Sequence, residues 1–87
     1  MEIEQLAEKE IARIEEILKE LKVTDSKGLE LYNIILSYFT DSKSFLKKRD
    51  FLRAFETAVI CWAYCDAGIH LNVFSIDDKL KKYFTIE

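Results

Sequence analysis

Five side chains carry most of the reactive chemistry open to this chain: Asp41, Asp66, Cys61, Cys65 and His70. Paired aspartates suit general acid–base work. A cysteine near a histidine suits nucleophilic attack, and Cys, Asp and His together suit a metal. The spacing argues against each. Cys61 and Cys65 stand four apart on one helical pattern, whereas structural zinc sites use Cys-x-x-Cys knuckles in loops with a second ligand pair elsewhere. His70 is five positions beyond Cys65, so the two point in different directions, and no third group orients a base. Both cysteines read as small buried hydrophobes. A hairpin turning at Lys48–Arg49 leaves Asp41 and Asp66 ~15 Å apart along a bundle, too far for a dyad or a shared metal. Accordingly no catalytic residue, metal or cofactor is expected. A small-ligand or enzyme site around Asp66, with Asp41 and His70, ranks third among the functions.

The aspartates are better explained as buried polar groups. Asp41 follows Tyr38 by three and Asp66 follows Trp62 by four, which puts each on or beside an apolar line. A second hairpin, about Asp25, sets Lys9 level with Asp41 and Lys19 level with Asp66. Each carboxylate is expected to find a lysine or arginine, or a tyrosine hydroxyl, across the bundle, as partly buried charge must.

The elements that position these groups are helices. The chain has 87 residues, 49% hydrophobic and 33% charged, with two glycines and no proline. That is too apolar for disorder and too poor in turn residues for a sheet of short strands. Ala7, Ile11, Ile14, Leu18 and Leu21 form one stripe, widened by Ile3, Leu6 and Ile17, and predict a first helix over 3–23. Thr24-Asp25-Ser26-Lys27-Gly28 is a turn in which Asp25 or Ser26 caps a second helix reaching Lys47. Asp50 is the next N-cap, for a third helix over 51–72. There Phe51, Phe55, Ala58, Val59, Trp62, Cys65, Ile69 and Val73 face inward by spacing. Ser75 or Asp77 caps a short fourth helix carrying Leu80, Tyr83 and Phe84, its end fraying at 85–87. The expected fold is all-α: an up-and-down three-helix bundle with a short C-terminal fourth helix or tail, residues 1–87 forming a single domain.

The third helix is apolar nearly all round, because Ile60, Tyr64, Ala67 and Leu71 add a second line. Such a helix is covered on several sides, by the C-terminal segment or by another chain. Gly68 sits in its interior, where it costs roughly 1 kcal/mol against alanine. With Ala63 and Ala67 it would let another backbone come close. Lys43, Lys47, Lys48, Arg49 and Arg53 make a basic end at the second turn, and phosphate contacts there would be salt-sensitive. The net charge of −3 argues against a general nucleic-acid binder. No apolar run is long enough to span a membrane, and the N-terminus is not that of a signal peptide. Two cysteines without a secretion signal point to a reducing cytoplasm.

Tyr38-Phe39-Thr40-Asp41-Ser42, Phe45-Leu46, Asp50-Phe51, Ala54-Phe55-Glu56 and Trp62-Ala63-Tyr64-Cys65-Asp66-Ala67-Gly68-Ile69-His70-Leu71 together resemble a family of short archaeal proteins known as domain of unknown function 357. The resemblance covers about Leu29 to Phe74, and is most specific at Asp66-Ala67-Gly68 and at Tyr38 to Asp41. The family pattern often carries glycine before Asp50 and after Leu71, where this chain has Arg49 and Asn72. The resemblance implies a small up-and-down helical bundle in an archaeal cytoplasm, and no activity.

The leading expectation is therefore a non-catalytic protein–protein interaction module, most simply a homodimer, using Ile60, Tyr64, Ala67, Gly68 and Leu71. A nucleic-acid accessory role through the basic turn 43–53, with Lys47, Lys48, Arg49 and Arg53 on phosphates, is the alternative.

Overall fold

Ala7, Ile11, Ile14 and Ile17 recur at helical spacing. In the computed structural model, which describes residues 2–85, they line the buried side of α1 (Ile3–Glu20). The helix stops three residues before the periodicity predicts. Leu21 is extended, and Lys22–Val23 form β1, which pairs antiparallel with β2 (Phe74–Ser75). Lys22 lies opposite Ser75 and Val23 opposite Phe74. Thr24 prolongs this ribbon, its N–H donating to the Val73 carbonyl at 2.9 Å and its hydroxyl to the Asn72 carbonyl at 3.2 Å. Partners distant in sequence thus take over backbone groups that another helical turn would have used.

A turn built on Asp25 leads into α2 (Gly28–Lys47). The Asp25 carboxylate accepts from the Lys27 N–H at 2.9 Å, and its carbonyl accepts from the Gly28 N–H at 2.8 Å. Asp25 therefore shapes the turn rather than capping the helix with its side chain. Asp50 does cap α3 (Phe51–His70), accepting from the Arg53 N–H at 3.3 Å.

α3 is the central helix, with α1 and α2 both leaning on it and touching each other little. Its buried stripe is Ala54, Ala58, Cys61, Cys65 and Gly68, small residues throughout. Small side chains let the neighbouring helices approach closely. Phe51, Phe55, Trp62 and Ile69 are only partly buried and pack against the core from outside that stripe. Val59, placed inward by spacing, is exposed. The architecture is an all-α bundle in which a minimal two-stranded ribbon joins the segments that follow α1 and α3.

Both helices of the α2–α3 pair close with the same device. The Asp50 N–H donates to the Phe45 carbonyl at 2.9 Å and the Arg49 N–H to that of Leu46 at 3.0 Å. Likewise the Val73 N–H donates to Gly68 at 3.0 Å and the Asn72 N–H to Ile69 at 3.1 Å. These paired bonds require a left-handed residue just past the helix. Arg49 (φ 63°) and Asn72 (φ 61°) supply it. They are the two positions at which the family resemblance leads one to expect glycine.

The fourth element is a 3-10 helix, Asp78–Tyr83, opened by Asp77 accepting from the Lys79 N–H at 3.0 Å. Leu80 and Phe84 are buried. The Phe84 ring stacks on Trp62 with centroids 6.3 Å apart, and the Trp62 indole N–H donates to the Tyr83 carbonyl at 2.7 Å. This segment covers one flank of α3. Of the three positions expected to fray, Ile86 and Glu87 lie outside the described residues, and Thr85 is held.

Candidate functional site

Asp66 and His70 stand one turn apart on α3, beside the C-terminal segment. The Asp66 carboxylate accepts from the Thr85 N–H at 3.0 Å and from the Thr85 hydroxyl at 2.9 Å, and its side chain is 15% exposed. Asp66 is thus partnered by Thr85 rather than by the lysine, arginine or tyrosine expected across the bundle. His70 Nε2 lies 2.6 Å from the same hydroxyl and 3.7 Å from Asp66. Aspartate, histidine and a hydroxyl match a nucleophile triad in composition only. The Thr85 hydroxyl and the Asp66 carboxylate both lie on the Nε2 side of the His70 ring. In a working triad the carboxylate holds the other ring nitrogen. The cluster is a clasp that fastens the C-terminal segment to α3.

Asp41 departs from expectation. It is exposed, next to Leu36, Ser37 and Thr40 on the outer side of α2, and is not the buried polar residue of that helix. Ser42 is. Fully buried, its hydroxyl donates to the Ala54 carbonyl at 2.7 Å and ties α2 to α3. The spacing carries that signal, since Ile35, Phe39 and Ser42 continue one stripe and Asp41 falls beside it. Thr85, by contrast, has no periodic signal at all.

Cys61 and Cys65 are free and buried, and burial pushes the pKa of both thiols up to about 12. The Cys61 thiol donates to the Ile35 carbonyl at 3.6 Å. Neutral thiols of this kind are poor nucleophiles and poor metal ligands. Among the described residues, no group of three or more His, Cys, Asp or Glu side chains is placed to hold a metal ion.

The basic turn is partly engaged within the chain. Arg49 reaches Glu4 at 3.8 Å and lies over the Phe51 ring, while Arg53 reaches Asp50 at 3.7 Å and lies over Phe45. Lys47 and Lys48 are exposed.

The outer side of α3 carries Ile60, Tyr64, Ala67 and Leu71, all exposed, Leu71 to 70%. Tyr64 stacks on Tyr38 of α2 with centroids 5.8 Å apart, and Ile34, one turn before Tyr38, is also exposed. Gly68 does not belong to this surface. It is buried, and a Cβ built on it runs into the Phe74 ring. The close neighbour that this glycine admits is therefore an aromatic ring of the same chain, neither another helix nor a partner.

A family model described as Protein of unknown function (DUF357) matches residues 4–74. The match ends at the ribbon, so the C-terminal clasp lies beyond it. The structure is similar to the crystal structure of protein AF1782 from Archaeoglobus fulgidus, of the same family model. The TM-score is 0.75 and the identity 32%, over 86% of this chain and 93% of that one. No curated protein matches. Among the described residues, no helix is long and apolar enough to cross a membrane.

Proposed function

The chain belongs to the DUF357 family of proteins of unknown function, and on that premise we propose that it is a non-catalytic helical module acting through protein contacts, most simply as a homodimer. One observation carries this reading: α3 is left with an exposed apolar line even after the C-terminal segment has covered its other flank. That outer side holds Val59, Ile60, Ala63 and Tyr64, with no charge among them. Ala63 and Ala67 let a second backbone approach. A two-fold axis at Ala63 would set two α3 helices antiparallel, each Glu56 level with His70 of the partner subunit. Such a self-complementary patch is what an isologous dimer requires.

A non-catalytic role is favoured by the placement of Asp66 and Thr85 at the same ring nitrogen of His70 and by the neutral thiols. Free thiols suit a reducing cytoplasm, the compartment we propose. The nucleic-acid reading ranks below, because Arg49 and Arg53 are engaged with carboxylates and rings of their own chain.

Sedimentation equilibrium at high micromolar concentration tests the dimer. The expected result is a dimer that Ile60→Glu converts to a folded monomer. A strict monomer in the unaltered chain would remove the homodimer, and RNA or DNA binding that reversal of Lys47 and Lys48 abolishes would favour the alternative.

A further inference from the structure

A second surface lies on different helix faces. Because α1 and α2 lean on α3 and hardly on each other, an open trough runs between them. Two open hollows of about 430 and 570 Å³ adjoin along it at Thr40 and Lys43. Its floor is apolar: Ile11, Leu18, Leu36, Phe39 and Leu46. Along α2 the trough extends from Leu36 to Lys47, ~16 Å at the helical rise, or about three turns of an added helix.

The rim has a charge opposite to that of the molecule. Net charge is −3, yet Lys19, Lys43 and Lys47 border the trough, against Glu15 and, on its outer edge beside Leu36 and Thr40, Asp41. Among the described residues none of these three lysines lies within ion-pair distance of a carboxylate. Lys43 Nζ instead sits over the Phe39 ring at 4.6 Å. An apolar floor three turns long with such cations on its edges is complementary to one kind of occupant. We propose that the trough docks an acidic amphipathic helix of a partner protein. The apolar stripe of that helix would lie on Leu18, Leu36 and Phe39, and its carboxylates would meet Lys19, Lys43 and Lys47. Such docking is the helix-in-groove mode, and it completes a four-helix arrangement. It is independent of the α3 dimer, which uses neither α1 nor this side of α2.

The test uses the full chain and three probes: a short helical peptide with a leucine stripe flanked by glutamates, its lysine-flanked counterpart, and dodecanoate. Fluorescence anisotropy gives affinity and amide chemical shifts give location. The acidic peptide is expected to bind at least roughly tenfold more tightly than the basic one, a difference of ~1.4 kcal/mol. Its shifts should centre on Leu18, Leu36, Thr40 and Lys43. The double variant Lys43→Glu/Lys47→Glu, exposed at both positions, should stay folded by circular dichroism and lose that preference. Equal affinity for the two peptides, shifts centred on Ile60 and Tyr64, tighter binding of dodecanoate, or no binding of the acidic peptide overturns the proposal. A monomeric result in sedimentation would not affect it.

Discussion

Gly68→Ala should destabilise this protein, against the usual rule. Inside a helix alanine is favoured over glycine by about 1 kcal/mol. At Gly68 the added methyl meets the Phe74 ring, with Cγ only 3.1 Å away and the ring edge nearer still. Phe74 is 3% exposed and held in β2 by its pairing with Val23, so the ring has nowhere to swing. Overpacking of this kind costs about 1–3 kcal/mol, which cancels or reverses the propensity gain. The two terms separate in a double-mutant cycle with Phe74→Val, which removes the ring atoms but suits a strand. In that background Gly68→Ala should become stabilising by about 1 kcal/mol. The reverse change at an exposed position outside the α3 patch, Ala12→Gly in α1, measures the backbone term alone. Urea and thermal unfolding followed by far-ultraviolet circular dichroism give the values. Each kcal/mol moves the melting temperature of a domain this size by about 4–8 °C. An equal effect of Gly68→Ala in both backgrounds, or a gain in the unaltered chain, would refute the contact.

Further outcomes are expected. Arg49→Gly should be about 1 kcal/mol more stable than Arg49→Ala, since both lose the contacts with Glu4 and Phe51 and only glycine relieves the left-handed backbone; equal melting temperatures would contradict that. Asn72→Gly against Asn72→Ala should follow in the same direction. Asp66→Ala should cost about 1–2 kcal/mol through the bonds to Thr85 and release Phe84 from Trp62. The emission of this sole tryptophan would report the release, and unchanged emission would count against the clasp. Alkylation of Cys61 and Cys65 should track global unfolding near neutral pH. Their folded thiols ionise at about 12, above the value of about 8.5 for a free thiol. The stability they contribute is therefore complete below the unfolded value and is lost as pH rises through the folded one. Urea titrations across that alkaline range check the sign.

Helical spacing makes much of the fold legible. The α1 stripe, the α2–α3 turn, the Asp50 cap and the burial of both cysteines follow from local pattern. The rest is set by contacts between distant segments. Periodicity cannot show that Leu21-Lys22-Val23 will leave a helix to meet Phe74 and Ser75. It marks Gly68 as a point of close approach but not the ring that fills the space. Asp41 stands out by its charge, whereas Ser42, one position on, holds the interior place. The partner of Asp66 lies in a segment with no repeat of its own, so residue type suggests a cation where geometry supplies Thr85.

The ribbon of Lys22–Val23 with Phe74–Ser75 has a consequence for the order of assembly. It closes a loop that contains the whole α2–α3 pair, so its pairing bears the loop-closure entropy, while the helix pair within needs only neighbouring contacts. Folding should begin inside that loop and fasten afterwards from its two flanks. Amide hydrogen exchange would then be slowest at Ile35 and Cys61, with Val23 exchanging sooner through partial opening. Exchange at a single rate across all of them would mean one indivisible unit. On that order the flanking segments would fasten a hairpin already formed, with the clasp at Thr85 as the last hook.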